Sequence, residues 1–197
     1  MKKIMIFVLS LSILLSVPVG CSGTQIEDGI SLEYAQAAQN KQQSKKYHKK
    51  KNKKYTIPKN GGSFKSYTNY KLLNKTSPQW KKIQSIAHTD NNGLRKVDKY
   101  YCVAMGSFYS KKLGDTFKIT TENGSFYIII CDFKDDDDTD SSNRYTKENG
   151  CITEFYVDNK KLSPKVKRMG SVSYASDKFK GKIKKIEKLE NYFSIKQ

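Results

Sequence analysis

Two carboxylates stand at the ends of apolar strand-like runs. Asp132 closes the run Ser125 to Cys131, and Glu154 sits in Ile152-Thr153-Glu154-Phe155-Tyr156-Val157. Strict alternation places Asp132 on the face of Ile128 and Ile130, and Glu154 on the face of Ile152 and Tyr156. Burial beside apolar neighbours raises a carboxyl pKa, which suits a general acid. The plainer alternative is that each acid caps a strand end and accepts from loop amides. Between them runs Asp135 to Asp138, followed by Thr139-Asp140. That run can be a Ca²⁺ loop, an acid cluster facing a glycan, or a solvated loop tip. An EF-hand counted from Asp136 needs Gly and an acid where Ser141 and Lys147 stand, so that motif fails. Asp138 and Asp140, flanking Thr139 near mid-loop, are the members of the run with a claim on catalysis.

Other chemistries find little support. His48 lies in a Lys run and His88 precedes a turn, neither with a neighbour at zinc spacing. Cys102 and Cys131 fall in apolar strands and read as small core residues. Cys151 follows a turn, a position expected nearer solvent. No phosphate loop or dinucleotide fingerprint occurs, so neither a metal nor an organic cofactor is expected.

The elements that must position these acids occupy only part of the chain. Its 197 residues carry 37 basic and 19 acidic side chains, a net +18, with 37% apolar residues. That composition excludes a polytopic membrane protein and a chain packed from end to end. Tyr34 to Thr89 holds 14 Lys and no acid. Within it, Lys41 to Lys54 contains eight Lys, a block that repels itself and stays extended. Residues 22–62 therefore read as a Lys-rich linker that tethers the domain and can also contact a polyanion. Only three of the basic residues are Arg, the side chain that base readout favours, so nucleic acid is not an expected partner. A monomer is expected.

Residues 63–93 read as a helical docking segment. Ser77-Pro78 signals a helix start, and Trp80, Ile83 and Ile86-Ala87 give one apolar stripe, with Trp80 as its anchor. A sugar-stacking Trp80 is the sharper alternative. From Tyr100 the pattern becomes strand-like: Tyr100 to Met105, Asp115 to Thr121, Ser125 to Cys131 after the hairpin signal Asn123-Gly124, Ile152 to Val157, and Gly181 to Leu189. Pro164 to Met169 is a short helix closed by Gly170. Several short strands with one or two small helices point to a mainly β fold, closed as a small barrel over 94–197.

Two resemblances follow from these residues. Lys2 and Lys3, the charge-free run of 14 residues from Ile4 to Val17, and Val17-Pro18-Val19-Gly20-Cys21 resemble a lipoprotein signal over residues 1–21. That resemblance implies a lipid on Cys21 and a membrane anchor on the outer face of a Gram-positive cell. The second covers about residues 95–190. Val103-Ala104-Met105, Leu113-Gly114-Asp115-Thr116-Phe117, Ile130-Cys131-Asp132, Glu154-Phe155, Val166-Lys167-Arg168-Met169-Gly170 and Lys180-Gly181-Lys182-Ile183 occur in the order seen in double-psi β-barrels. They resemble the rare-lipoprotein-A-like and three-aspartate cell-wall domains of Firmicutes. The turn after the first acid differs, being Phe133 to Asp140 here, and the second acid is Glu154. The resemblance implies a six-stranded double-psi barrel that binds or cleaves peptidoglycan as a lytic transglycosylase does, with Asp132 and Glu154 as the acid/base pair. The alternative is a non-catalytic module for wall polymer or a protein partner.

Overall fold

The computed structural model describes residues 52–195. The signal-like segment, its Cys21 and residues 22–51 of the expected linker lie outside them. The described body is mainly β, with nine strands in one mixed sheet. They are β1 (Lys54–Tyr55), β2 (Tyr67–Asn69), β3 (His88–Thr89), β4 (Arg95–Val97), β5 (Tyr100–Met105), β6 (Asp115–Thr121), β7 (Ser125–Phe133), β8 (Glu154–Val157) and β9 (Ile183–Asn191). Two short helices follow the sheet's turns, α1 (Pro164–Met169) and α2 (Tyr192–Ile195). The main path runs β1-β9-β6-β7-β5-β4-β3, while β8 pairs with β5 and β2 pairs with β8. Among the described residues the path is open, and nine strands replace the six expected. No helix among them is long and apolar enough to cross a membrane.

The strands form where the sequence alternates or is apolar throughout. β5 is buried at all six positions, because both of its faces meet a core. Its odd positions Tyr101, Val103 and Met105 join Phe117, Ile119, Ile128, Ile130, Phe155 and Phe179 in one cluster. Its even positions Tyr100, Cys102 and Ala104 join Ile83, Ile129, Cys131 and Tyr156 in a second. A period of two on a doubly covered strand reads as a continuous apolar run. β6 and β7 form the hairpin signalled by Asn123-Gly124, closed by Thr121 N–H donating to Gly124 O at 2.8 Å. α1 starts where Ser163 Oγ accepts from Val166 N–H. It ends on Gly170 in the left-handed conformation at φ 63°, where a side chain is strained.

Two boundaries differ from expectation. The expected linker over 22–62 includes residues that belong to the sheet, because its first strand is already formed at Lys54–Tyr55. β1 pairs antiparallel with β9, and Tyr55 is buried, donating to Tyr109 O at 2.9 Å. The segment 63–93 is no separate helical dock. It contributes β2 and β3, and its helical signal yields a single π-turn at Trp80–Gln84, with Ser85 N–H donating to Trp80 O at 2.9 Å. A π-turn is wider than an α-turn, so residues three apart no longer share one face. Ile83 is fully buried while Ile86 is 52% exposed, and the expected stripe breaks.

Candidate functional site

Asp132 and Glu154 lie on strands either side of β5. In register, Ala104 faces Asp132 on β7 and Glu154 on β8. Two inter-strand steps separate their backbones, roughly 10 Å. The short Ala104 side chain lies between them.

The face on which Asp132 sits corrects the alternation argument. The β5–β7 register runs Val103↔Ile130 and then Ala104↔Asp132, so a bulge at Cys131 absorbs one residue. A bulge re-aims the residue that follows it. Asp132 thereby leaves the face of Ile128 and Ile130 and joins the face of Ala104 and Tyr156. Glu154 shares that face with Tyr156 two residues on, as expected. Ile152 does not, because it precedes the strand and packs in the opposite cluster.

Around this face the polar contacts are specific. Tyr156 OH donates to Asp132 Oδ2 at 2.5 Å. Asp132 Oδ1 accepts from Gln79 Nε2 at 3.2 Å and from Phe133 N–H at 2.9 Å. Burial, then the neighbouring Cys131 and Asp132, pushes the Tyr156 phenol well above the ordinary range, so it serves as a donor and not as a base. Glu154 Oε2 lies 3.4 Å from Lys134 Nζ, whose side chain is 4% exposed against 30% for Glu154. Lys134 also donates to Thr146 Oγ1 at 2.8 Å. The set is thus two half-buried carboxylates, Asp132 held by three donors and Glu154 beside a buried ammonium.

Asp138 and Asp140 do not join this set. Asp138 ends the exposed 3-10 turn Asp136–Asp138, where its carbonyl accepts from Lys147 N–H at 3.0 Å. Asp140 is buried and organises the loop. It accepts from Arg144 N–H at 2.6 Å, Tyr145 N–H at 3.2 Å and Arg144 Nε at 2.9 Å, with the Arg144 guanidinium at 2.7 Å. Burial alone would raise its pKa, but the Arg144 and Tyr145 donors hold it below the ordinary carboxylate value. The loop after β7 is therefore built, not merely solvated. Its Asn143 carbonyl lies so close to Gly106 that a Cβ there would meet it at 2.0 Å. Among the described residues no three His, Cys, Asp or Glu side chains converge as a metal site.

The three described cysteines are all interior. Cys102, Cys131 and Cys151 are free and buried. Burial, then the adjacent Cys102, pushes the Cys131 thiol well above its ordinary value, which makes it inert. Cys151 is not near solvent as expected. Its sulfur accepts from Ser66 Oγ at 3.0 Å and donates to Thr153 O at 3.1 Å, joining the segment before β8 to the segment before β2.

Sequence reasoning missed Gln79 and Lys134 as neighbours of the acids. Lys134 was legible two residues after Asp132, on the same strand parity. Gln79 was not, because its contact spans 53 residues. Compared with known families, curated proteins and solved structures, the chain matches none.

Proposed function

We propose that the protein is a cell-surface lipoprotein, anchored through Cys21, whose β domain binds peptidoglycan glycan and cleaves it as a lytic transglycosylase does. The observation that supports this reading is the convergence of Asp132 and Glu154 on one face, in register with Ala104 between them. Two parallel pairs, β5–β7 and β2–β8, within a mainly antiparallel sheet support a double-psi architecture for its core.

The roles follow from the contacts. Glu154, the carboxylate with the fewer protein donors, donates a proton to the leaving glycosidic oxygen and takes one back from the attacking hydroxyl. Asp132, fixed by three donors, stabilises the positive charge that develops on the sugar ring. Tyr156 and Gln79 position Asp132, and Lys134 positions Glu154. A second reading, a non-catalytic wall-binding module, is favoured by the fact that both carboxylates already have protein partners.

The test is digestion of purified peptidoglycan by the full chain, with products read by mass spectrometry. Glu154→Gln is expected to lower release of anhydromuropeptides by about 10²-fold or more, and Asp132→Asn by a similar factor. Wild type that pellets with the wall but releases no product refutes the catalytic reading and leaves the binding module.

A further inference from the structure

Trp80 is the only tryptophan of the chain, yet it belongs to neither core cluster. It is half-buried and lies against Tyr70 instead, with ring centroids 5.9 Å apart and planes 15° from parallel. Tyr70 is in turn backed by the Arg95 guanidinium, 4.2 Å from its ring centre. Arg95 is itself immobilised, donating to Gln84 Oε1 at 3.1 Å, Gln84 O at 2.9 Å, Ala87 O at 2.7 Å and Thr89 Oγ1 at 3.0 Å. This makes a rigid aromatic stack whose largest ring stands apart from both core clusters.

Its position links it to the acids. Trp80 opens the π-turn, and the residue before it, Gln79, donates to Asp132. π-turns recur at functional sites because they displace side chains from the regular helical face. Lys71 and Lys75 stand over the two rings, at 5.8 Å from Tyr70 and 5.9 Å from Trp80. With Lys71, Lys75 and Arg95 all lying against the two rings, the stack carries a cluster of positive charge. A flat aromatic ring beside cations suits a sugar ring that carries carboxylates.

We propose that Trp80, backed by Tyr70 and Arg95, is a stacking platform for one pyranose ring of a carboxylate-bearing glycan strand, and that Lys71 and Lys75 meet its carboxylates. The proposal rests on the glycan reading of the Asp132–Glu154 face and names the subsite beside it. Trp80 is here a positioning residue, holding the strand so that the next linkage reaches the acids.

A single tryptophan makes the test direct. The full chain is titrated with a soluble muropeptide, N-acetylglucosaminyl-N-acetylmuramyl tetrapeptide, and with neutral chitotetraose. Tryptophan emission and calorimetry are read together. The muropeptide is expected to shift the emission and to bind more tightly than chitotetraose. Trp80→Ala is expected to weaken muropeptide binding about tenfold, and Trp80→Phe, which keeps a ring, only a few-fold. Lys71→Gln with Lys75→Gln is expected to flatten the salt dependence. Emission that stays unchanged, with Trp80→Ala binding as tightly as wild type, overturns the proposal, as does binding of neither probe. An emission shift with anionic lipid vesicles and not with muropeptide also overturns it. If Asp132→Asn and Glu154→Gln abolish product release while Trp80→Ala behaves as wild type, this inference falls alone. If the Trp80 variants lose muropeptide binding while the acid variants still cleave, the reading of the acids falls alone.

Discussion

Replacing Asp140 by alanine removes the carboxylate around which the loop after β7 is wound. Two backbone N–H groups, of Arg144 and Tyr145, then lose their acceptor at 2.6 and 3.2 Å. Each such loss costs about 1–3 kcal/mol when the group stays away from water. The Arg144 side chain is 35% exposed and regains water, so its ion pair adds little. The expected cost of Asp140→Ala is about 3 kcal/mol. Asp140→Asn keeps an oxygen for both amides but turns an NH₂ toward the guanidinium, so about 1 kcal/mol is expected. Asp140 has a folded pKa below its ordinary 3.8. Its stabilisation is therefore complete above that value and is lost as pH falls through the folded pKa. The gap between wild type and Asp140→Asn should hold from neutral pH to about pH 4 and shrink below it. Urea unfolding of the full chain, followed by circular dichroism, measures all of this. Asp140→Ala within about 0.5 kcal/mol of wild type, or Asp140→Asn as costly as Asp140→Ala, refutes the reasoning.

Three further outcomes follow from other parts of the fold. Lys65 is fully buried, its Nζ donating to Gly62 O, Ser63 O and Gly181 O, and burial lowers its pKa to about 8 from 10.5. Between those values the unfolded chain binds the extra proton, so stability should rise with pH by about 3 kcal/mol. Lys65→Met should flatten that rise, and equal urea-midpoint changes from pH 7.5 to 10 in both proteins would count against it. Gly106→Ala should cost more than about 2 kcal/mol, because its Cβ would overlap Asn143 O, and an unchanged unfolding midpoint would show that the loop yields. Cys102, Cys131 and Cys151 should react with iodoacetamide at least about 10³-fold more slowly in the native chain than in urea, read peptide by peptide. Rapid native labelling of Cys151 would contradict its burial between Ser66 and Thr153.

What the sequence determined by itself is local and periodic. β5, β6, β7, α1 and β9 follow from alternation, an Asn-Gly turn, a Ser cap and a terminal Gly, signals that act within a few residues. The pairing of Glu154 with Tyr156 on one face follows from the same period of two. Tertiary structure decided the rest. β1 looks like any solvated Lys-Tyr dipeptide until β9 supplies its ladder. The bulge at Cys131, which turns Asp132 toward Tyr156, is a shift in the pairing of β7 with β5, a strand more than twenty residues away in sequence, and alternation within β7 does not reveal it. Asp140 reads as one acid among several until Arg144 and the loop amides close around it. Trp80 reads as the anchor of an amphipathic helix. In the fold Ile83 takes that role, because packing against the second core admits one π-turn there and leaves the larger ring outside, on Tyr70.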